Sequence, residues 1–200
     1  MRFLDYHLSS YAKPATVFLM KIRLAMIEDA VEMLEIYRPN IEASAISFET
    51  VVPSVSEFED RVRDTLRKYP WIVYERDGKI LGYAYASTYR SRCAYGWSLE
   101  STVYVHPEHQ GMGIGRSLYC KLFDLLKHQG AVNVIGGITL PNEASVGLHE
   151  SLGFKKVAQF KDVGFKLGKW WDVGFWQLQL QKPEVPCELK APPNEHAFSN

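Results

Sequence analysis

Apolar residues between positions 22 and 180 recur with the period of a helix in some segments and with that of a strand in others, in alternating order along the chain. Residues 22–24 predict a short first strand. A helix is predicted next, with an apolar side formed by Val31, Leu34, Ile36 and Tyr37. We expect it to end near Pro39, because proline disfavours a helical conformation in the residue before it. Ser54 and Glu57 have the spacing of a capping box and precede apolar positions 58, 62 and 66, which predicts a second helix.

A β-rich region follows the second predicted helix. The turn dipeptide Asp77-Gly78 separates residues 71–75 from residues 79–89 and predicts a hairpin. The remaining pattern predicts strands over 98–105, 132–139, 154–160 and 171–180, and helices over 113–129 and 142–152. The sum is an α+β domain with an antiparallel front half and a β-α-β back half. Core and subunit packing is the interpretation for four late aromatic residues, Trp170, Trp171, Phe175 and Trp176.

The two ends of the chain differ from the patterned region. Residues 181–200 contain four prolines among polar residues and lack an apolar period, which is typical of a flexible tail. Residues 1–20 show only scattered apolar positions, and a second start-like segment begins at Met20. Either a start codon assigned too far upstream or an arm that packs on a partner subunit would produce this pattern. We therefore expect an N-terminal extension (1–20), one domain (21–180) and a C-terminal tail (181–200).

Composition narrows the class of partner. The chain has 200 residues, 46% of them hydrophobic, and its 23 Lys and Arg residues balance its 23 Asp and Glu residues. Zero net charge argues against the broad basic surface of a nucleic-acid-binding protein, so no nucleic-acid partner is expected. No apolar run approaches the ~20 residues of a membrane span and no signal peptide is evident, so we expect no membrane partner and a cytoplasmic location. The three cysteines fit no metal-binding spacing, so no metal is expected.

The most informative segment runs from residue 100 to residue 119 and joins a strand, a glycine-rich loop and a helix. Gly111, Gly113 and Gly115 let the backbone approach a ligand closely, and the start of the helix offers unpaired N–H groups and a positive dipole end. An anion is the ligand that matches these properties. The loop fits neither the nucleoside-triphosphate pattern nor the dinucleotide pattern, and its glycines alone are also compatible with a flexible turn.

A longer combination of motifs is more specific. The pattern Gln110-x-x-Gly113-x-Gly115 is followed by Asn142 and then by the run LHESLGF at residues 148–154, and the whole resembles the GNAT superfamily of acyl-CoA-dependent N-acetyltransferases. Residues 69–73, 94–97, 100–105, 140–142, 163–166 and 171–178 further resemble the phosphinothricin N-acetyltransferases, the bar and pat type of resistance enzyme. The resemblance covers residues 22–180. It implies the GNAT fold, with a mixed, mostly antiparallel central sheet flanked by helices.

The resemblance also implies acetyl-CoA as the co-substrate. In the superfamily the glycine loop holds the coenzyme A pyrophosphate, the later helix contacts the coenzyme arm, and a strand amide near residues 103–105 bonds the thioester carbonyl. The residues of this chain that match the coenzyme-binding positions are Val103, Tyr104, Val105, Gln110, Gly111, Met112, Gly113, Ile114, Gly115, Arg116, Asn142 and Ser145.

Two residues are candidates for acid–base catalysis. Glu100 lies on a mostly apolar strand, where a carboxylate is costly unless it faces a site, and desolvation there would raise its pKa toward a useful range. An ordinary exposed or ion-paired glutamate is the other interpretation, but the resemblance favours the base, since the family's proposed catalytic glutamate matches Glu100. Many GNAT enzymes have a tyrosine acid where this chain has His149, so the resemblance implies that His149 is an acid or a proton-relay partner.

Cationic and aromatic residues are candidates for the acceptor site. Arg90 and Arg92 could each hold a carboxylate or phosphinate through paired hydrogen bonds, although a solvated loop is the ordinary setting for such arginines. Arg90 stands where the resembling enzymes often carry lysine. The positions that match their acceptor pocket are Phe48, Arg92, Tyr95, Thr102 and Tyr104. The family further implies a homodimer in which residues 163–166 reach toward a neighbouring subunit's pocket.

The resemblance therefore predicts an acetyl-CoA-dependent N-acetyltransferase. Its acceptor would be the α-amine of phosphinothricin or an amino-acid-like analogue such as methionine sulfoximine or methionine sulfone, acetylated by direct attack without an acyl-enzyme. Acetylation of another small amine or amino acid is the alternative within the enzyme class. A non-catalytic acyl-CoA-binding sensor is the alternative outside it, although such a sensor would be expected to have lost Glu100 or His149.

Overall fold

One seven-stranded sheet organises the chain. The computed structural model describes residues 20–194 and residue 198. The strands are β1 (Met20–Leu24), β2 (Trp71–Arg76), β3 (Lys79–Thr88), β4 (Ser98–Val105), β5 (Asn133–Leu140), β6 (Lys155–Lys166) and β7 (Lys169–Gln179). Their order in the sheet is β1-β2-β3-β4-β5-β7-β6, and every neighbouring pair is antiparallel except the parallel pair β4–β5. The predicted α+β fold with a mostly antiparallel sheet is therefore confirmed.

Four helices cover the two faces of this sheet: α1 (Ala30–Glu42), α2 (Val55–Leu66), α3 (Ile114–Gln129) and α4 (Glu143–Ser151). Helices α1 and α2 bury their apolar sides against β2 and β3 on one face. Helix α3 buries Leu118, Leu122 and Leu126 on the opposite face, where α4 also packs. Each face thus has its own hydrophobic core, and the central strands between them are covered on both sides, whereas β6 is mostly exposed. Within residues 20–194 no helix combines the length and hydrophobicity needed to cross a bilayer.

Local sequence signals account for most of the element boundaries. Asp77 and Gly78 have positive φ values of 53° and 76° in the β2–β3 turn, as the dipeptide predicts. The Ser54 side chain accepts a hydrogen bond from Glu57 N, and the Glu57 carboxylate accepts one from Ser54 N, so the predicted capping box is confirmed. Gly130 ends α3 with a φ of 103°.

The predicted end of α1 at Pro39 is wrong. The helix continues through Pro39 to Glu42, and the Asn40 side chain donates to the Ile36 carbonyl at 3.0 Å. Ile41 is 2% exposed in the core below, so ending the helix at Pro39 would withdraw a buried side chain. Val31, predicted on the apolar side of α1, is instead 52% exposed.

The last two strands are longer than predicted. Strand β6 continues to Lys166 and turns at Leu167 and Gly168, both with positive φ, directly into β7. The four late aromatic residues, all of them in β7, lie in different environments. Trp176 is 2% exposed in the core, whereas the Trp170 ring is exposed and contacts Phe165 at a centroid distance of 5.3 Å.

The segment that follows β7 lies against the domain. The Trp97 indole donates to the Cys187 carbonyl at 2.6 Å, Lys190 N donates to the Gln129 carbonyl at 2.8 Å, and Leu189 packs against the core beside α3. The boundary at residue 180 and the flexibility of the tail stay predictions. The expectations for the N-terminal extension fall on residues 1–19, which lie outside the described residues, whereas Met20 is the first residue of β1.

The two central strands separate along their length. Strand β4 pairs with β5 only at residues 98–100, opposite residues 133–135. Beyond Glu100 both strands continue, to Val105 and to Leu140, without pairing to each other in the described part of the chain. Because β4 remains fully paired to β3 along the same length, the sheet opens only on its β5 side. This opening positions the candidate site.

We predict that the buried side of α3 determines the stability of the domain. Leu118→Ala should lower the free energy of unfolding by about 2–5 kcal/mol, because it removes a fully buried side chain and leaves a cavity. Chemical denaturation followed by circular dichroism measures the change. Cys120→Ala, two residues further on the exposed side, is the control and should change the free energy by less than about 0.5 kcal/mol. Equal losses in the two variants would contradict the described packing of α3.

Candidate active site

The gap between β4 and β5 holds a cleft of about 100 Å³. Because the gap passes through the sheet, residues from both faces line it. Strands β4 and β5 contribute their separated ends, the loop after α1 contributes one residue, and α3 and α4 contribute polar side chains. The lining residues are Ile46, Ser101, Thr102, Val103, Tyr104, Tyr119, Gly137, Ile138, Thr139, Asn142, Ser145 and His149.

Backbone N–H groups of β4 point into the gap. His106 N donates to the Leu81 carbonyl at 2.9 Å, so the hydrogen bonds of β4 to β3 come from alternate residues counted back from His106. Residues 101, 103 and 105 therefore direct their N–H and C=O groups toward β5, where within residues 20–194 no strand pairs with them. Val103 and Val105, predicted near an oxyanion donor, have amides that face the gap. Tyr104, predicted with them, directs its amide to β3 and can serve only through its side chain.

Glu100 lies at the last paired position before the strands separate. Its side chain is half-buried, and no hydrogen bond or ion pair to another residue in the range 20–194 engages its carboxylate. A Cβ at Gly137 of β5 would lie 3.6 Å from Glu100 Oε1, so glycine leaves space beside this oxygen. Burial raises the pKa of Glu100. These are the properties of a carboxylate that binds a proton more readily than an exposed glutamate does, as a general base must.

Thr102 and Tyr104 follow Glu100 on the same face of β4, because side chains alternate along a strand. The Tyr104 ring contacts Tyr37 at a centroid distance of 4.9 Å. Burial raises the pKa of Tyr104 and raises the pKa of Tyr85 to about 12. Both hydroxyls are therefore uncharged at neutral pH and available as hydrogen-bond donors.

A polar network occupies the other face of the gap. The Ser145 carbonyl can only accept, so His149 Nδ1 carries the proton of their 2.7 Å hydrogen bond and Nε2 is an acceptor. The Tyr119 hydroxyl lies 3.4 Å from His149 Nε2 and 3.5 Å from Ser101 Oγ. Burial lowers the pKa of His149, which is 3% exposed, and raises the pKa of Tyr119. Both groups are thus neutral at pH 7, and Tyr119 is the one with a proton to donate.

The glycine loop presents backbone to solvent at the start of α3. Gly111 and Gly113 have φ values of 75° and 80°, and a Cβ at either position would meet nothing within 4 Å. Glycine is therefore required for the left-handed conformation and not for space. The neighbouring Gln110 and Met112 side chains are exposed. The first N–H groups of α3 have no partner within the helix, which makes this end suitable for an anion.

The other residues predicted to hold the coenzyme make packing contacts or hydrogen bonds within the protein. A Cβ at Gly115 would lie 3.2 Å from Leu148 Cδ2, so this glycine lets α3 approach α4. The Ile114 side chain is 3% exposed in the core and can offer only its backbone to a ligand. Arg116 donates to Ser151 at 3.2 Å. Asn142 caps α4 by accepting from Ser145 N at 3.0 Å.

Residues predicted to bind the acceptor lie in two places. Phe48 is on the loop after α1, beside the cleft residue Ile46, and its ring covers Gly164 of β6 so closely that a Cβ there would collide with it. By contrast, the loop before β4 forms a separate open depression lined by Tyr89, Arg90, Ser91, Arg92 and Tyr95. The Arg90 guanidinium lies 5.2 Å from the centre of the Tyr89 ring. The structure therefore does not bring the two arginines into the cleft between the strands.

Sequence reasoning missed Tyr119, Ser101 and the pair Gly136-Gly137. Tyr119 lies on the apolar side of α3, and the hydroxyl group of a buried tyrosine needs a hydrogen-bond partner. A glycine pair inside a strand indicates close approach by other groups. Here the His149 ring covers Gly136, and Phe175 and Glu100 lie next to Gly137. Both signals are visible in the sequence.

The chain is similar to known acetyltransferases over most of its length. A family profile described as the acetyltransferase (GNAT) domain matches residues 22–174. A phosphinothricin N-acetyltransferase of Streptomyces viridochromogenes is 39% identical over 171 residues, covering 86% of this chain and 93% of the relative. An L-methionine sulfoximine/L-methionine sulfone acetyltransferase of Salmonella typhimurium is 38% identical, covering 84% and 98%. The solved structure of a GNAT superfamily phosphinothricin acetyltransferase from Sinorhizobium meliloti, in complex with acetyl-CoA, matches with a TM-score of 0.79 at 33% identity, covering 83% and 94%.

The burial of Glu100 predicts a stability effect that depends on pH. Its pKa is raised in the folded protein, so the associated stabilisation is present below the ordinary glutamate pKa and is lost as the pH rises through the folded value. Glu100→Gln removes the buried charge and should make the folded protein more stable than wild type at neutral pH. The difference should shrink as the pH is lowered to about 4.

Urea unfolding of both proteins at the two pH values measures this difference. Glu28→Gln, the same change at an exposed position, controls for the substitution itself. A Glu100→Gln variant less stable than wild type at neutral pH would contradict the view that this carboxylate is buried without compensation.

Proposed function

The chain belongs to the GNAT acetyltransferase family, and on this basis we propose that it acetylates the α-amine of phosphinothricin or of a close analogue such as methionine sulfoximine or methionine sulfone. It is an acetyl-CoA-dependent N-acetyltransferase. The observation that carries the proposal is the half-buried Glu100 carboxylate at the point where β4 and β5 separate. The acceptor class rests on the names of the relatives, which act on amino acids with a second polar head group.

The residues of the glycine loop fit acetyl-CoA, which supplies the acetyl group as a thioester when bound. We assign the pyrophosphate to the backbone N–H groups of residues 110–116, because Gly111 and Gly113 leave that backbone open and α3 adds its positive dipole end. Asn142 and Ser145, at the start of α4, are assigned to the coenzyme arm, since both line the cleft.

Glu100 is assigned as the base that removes a proton from the acceptor amine. Amines are protonated at neutral pH and cannot attack an acyl carbon until they lose a proton. A carboxylate with a raised pKa and no competing ion pair is suited to accept that proton. Thr102 and Tyr104 lie on the same face and would orient the acceptor with their hydroxyl groups, while Phe48 would form an apolar wall.

The β4 amides and Tyr119 are assigned to stabilise the negative charge that develops on the acyl oxygen and on the sulfur during transfer. The N–H groups of Val103 and Val105 face the gap and could donate to the acyl oxygen. The Tyr119 hydroxyl could donate to the departing sulfur, because burial keeps it protonated. His149 is neutral, with its proton on Nδ1 toward the Ser145 carbonyl, so its Nε2 would orient the Tyr119 hydroxyl as an acceptor and would supply no proton itself.

Direct transfer to the amine is favoured over an acyl-enzyme. Cys93, Cys120 and Cys187 are all exposed, and none of them lines the cleft.

Arg90, Arg92 and Tyr95 remain candidates to bind the second polar group of the acceptor. Their loop ends at Ser98, only two residues before Glu100, so an acceptor extending toward that end of β4 would approach them.

A steady-state assay of free thiol release tests the acceptor class. We expect acetyl-CoA turnover to accelerate with phosphinothricin, methionine sulfoximine or methionine sulfone and not with spermidine, since polyamines are cations and the candidate acceptor residues include two arginines. Acceleration only by other amino acids or amines would replace the proposed acceptor. A protein that binds acetyl-CoA but accelerates with no amine would instead be a sensor.

Glu100→Gln tests the base. The variant should lower kcat by about 10²–10⁴-fold, the usual contribution of a general base, and should leave the affinity for acetyl-CoA within about twofold. Stopped assays with methionine sulfone measure kcat, and calorimetry measures coenzyme binding. Glu28→Gln, at an exposed position on the surface, is the matched control and should behave as wild type. An unchanged kcat in Glu100→Gln would remove this residue from the base role.

The pH profile provides an independent measurement. A base must be deprotonated to act, so log kcat/KM should fall with decreasing pH, with a midpoint above the ordinary glutamate pKa because burial raises the pKa of Glu100. The acidic limb should be absent from the residual activity of Glu100→Gln. An identical limb in both proteins would assign it to another group.

A further inference from the structure

Lys166 is a buried lysine that forms no ion pair within residues 20–194, although the Glu49 carboxylate attracts it at longer range. It ends strand β6 and is 6% exposed, and among residues 20–194 no acidic side chain lies within ion-pair distance of it. Its ammonium group instead donates to the Ser47 carbonyl at 2.6 Å and approaches the Asn40 carbonyl at 3.5 Å. Lysine is rarely buried, since removing its charge from water is costly. Burial accordingly lowers the pKa of Lys166.

The two carbonyl groups belong to the segment that leads from α1 to the cleft. Asn40 lies in the last turn of α1, and Ser47 lies on the loop of residues 43–50, here called the acceptor loop. Ile46 of this loop lines the cleft, and Phe48 is the predicted acceptor wall. The lysine therefore contacts the backbone directly between these two side chains.

Other contacts hold the acceptor loop on its remaining sides. The Ser47 hydroxyl and the Tyr37 hydroxyl are 2.6 Å apart, which ties the loop to α1. Glu49 accepts from Arg61 of α2 at 2.6 Å. Neither contact links the loop to β6. Lys166 supplies that link across more than a hundred residues of sequence.

Strand β6 also supports the loop from below. The Phe48 ring covers Gly164, two residues before Lys166, and glycine is the residue that leaves room for it. The Trp171 indole donates to the Lys166 carbonyl at 2.9 Å and so fixes the backbone of Lys166 to β7. The contact of the Phe48 ring with Gly164 and the hydrogen bond from Lys166 to Ser47 together attach the acceptor loop to the end of the β6–β7 hairpin.

We propose that Lys166 is a positioning residue for acceptor binding: its ammonium group ties the acceptor loop to β6 and thereby holds Ile46 and Phe48 at the cleft. This inference rests on the proposed function, in which Phe48 forms an apolar wall for the acceptor beside Ile46 of the cleft. Lys166 is not assigned to bind the acceptor itself, because its ammonium group is directed at two backbone carbonyls and its side chain is covered. The glycine loop of residues 110–116 takes no part in these contacts.

Lys166→Met tests the tether, since methionine keeps the length and apolar stem but removes the donor. The KM for methionine sulfone should rise about tenfold, as expected for losing a buried charged hydrogen bond, with the KM for acetyl-CoA and kcat within about twofold of wild type. Lys161→Met, an exposed lysine of the same strand, is the matched control and should leave all three constants unchanged. Lys166→Arg retains a donor and should restore most of the acceptor affinity.

Two outcomes would overturn the proposal. One is an unchanged acceptor KM in Lys166→Met. The other is a parallel loss in kcat and in both KM values, because that pattern indicates general damage to the fold. If Lys166→Met does not fold, Gly164→Ala tests the same support, since the added methyl group displaces the Phe48 ring; it should raise the acceptor KM alone, and an unchanged acceptor KM there would equally overturn the proposal.

Hydrogen exchange separates this proposal from the proposed function. Amides of residues 43–50 should exchange faster in Lys166→Met than in wild type, with no change in residues 110–116 of the glycine loop. If wild type fails to acetylate methionine sulfone, the acceptor class is wrong while faster exchange still supports the tether. If wild type acetylates methionine sulfone and exchange over residues 43–50 is unchanged, the tether is wrong and the function stands.

Discussion

The separation of β4 from β5 after residue 100 is the constraint on which the site depends. A central strand normally pairs on both sides, because unpaired backbone groups cost free energy when they are buried. Here residues 101, 103 and 105 direct their backbone groups into a gap instead. The His149 ring covers Gly136 of β5 on one face of the sheet, and Glu100 and Phe175 lie next to Gly137 on the other. Side chains from both faces therefore surround the β5 side of the opening.

The gap divides the site into two environments with different chemistry. Toward α3 and α4 lie a buried hydroxyl, a neutral imidazole and the open N-terminus of a helix, which suit a thioester and its phosphates. Toward α1 and α2 lie Glu100, Tyr104 and the loop that carries Phe48. Because the sheet itself separates the two sides, an amine and a thioester that enter from opposite faces would meet at the gap. The zero net charge of the chain conceals this local division.

Several features could be predicted because they depend on neighbours in sequence. The Asp77-Gly78 turn, the Ser54–Glu57 capping box and the start of α3 at Gly113 require only local conformation and local hydrogen bonds. The end of α1 could not be predicted from Pro39, because a core contact made by Ile41 outweighs the local preference of proline. The length of β6 was missed because residues 161–165 are mostly exposed and lack a clear apolar pattern. The strand nevertheless pairs with β7 again from Gly164 to Lys166, after an irregularity that follows Phe160.

The sequence by itself determined the α+β fold, and it predicted a loop suited to an anion at residues 110–116 and a catalytic role for Glu100, because these depend on glycine spacing, strand pattern and family motifs along the chain. Only the tertiary structure decided which groups meet. It joins Tyr119 to His149 and Ser101, turns the amides of Val103 and Val105 toward the gap, and leaves Arg90 and Arg92 in a depression of their own. It also places Lys166 under the loop of Phe48. The physical reason is that each of these contacts joins different elements, and strand register and packing, which no local pattern encodes, determine their distances.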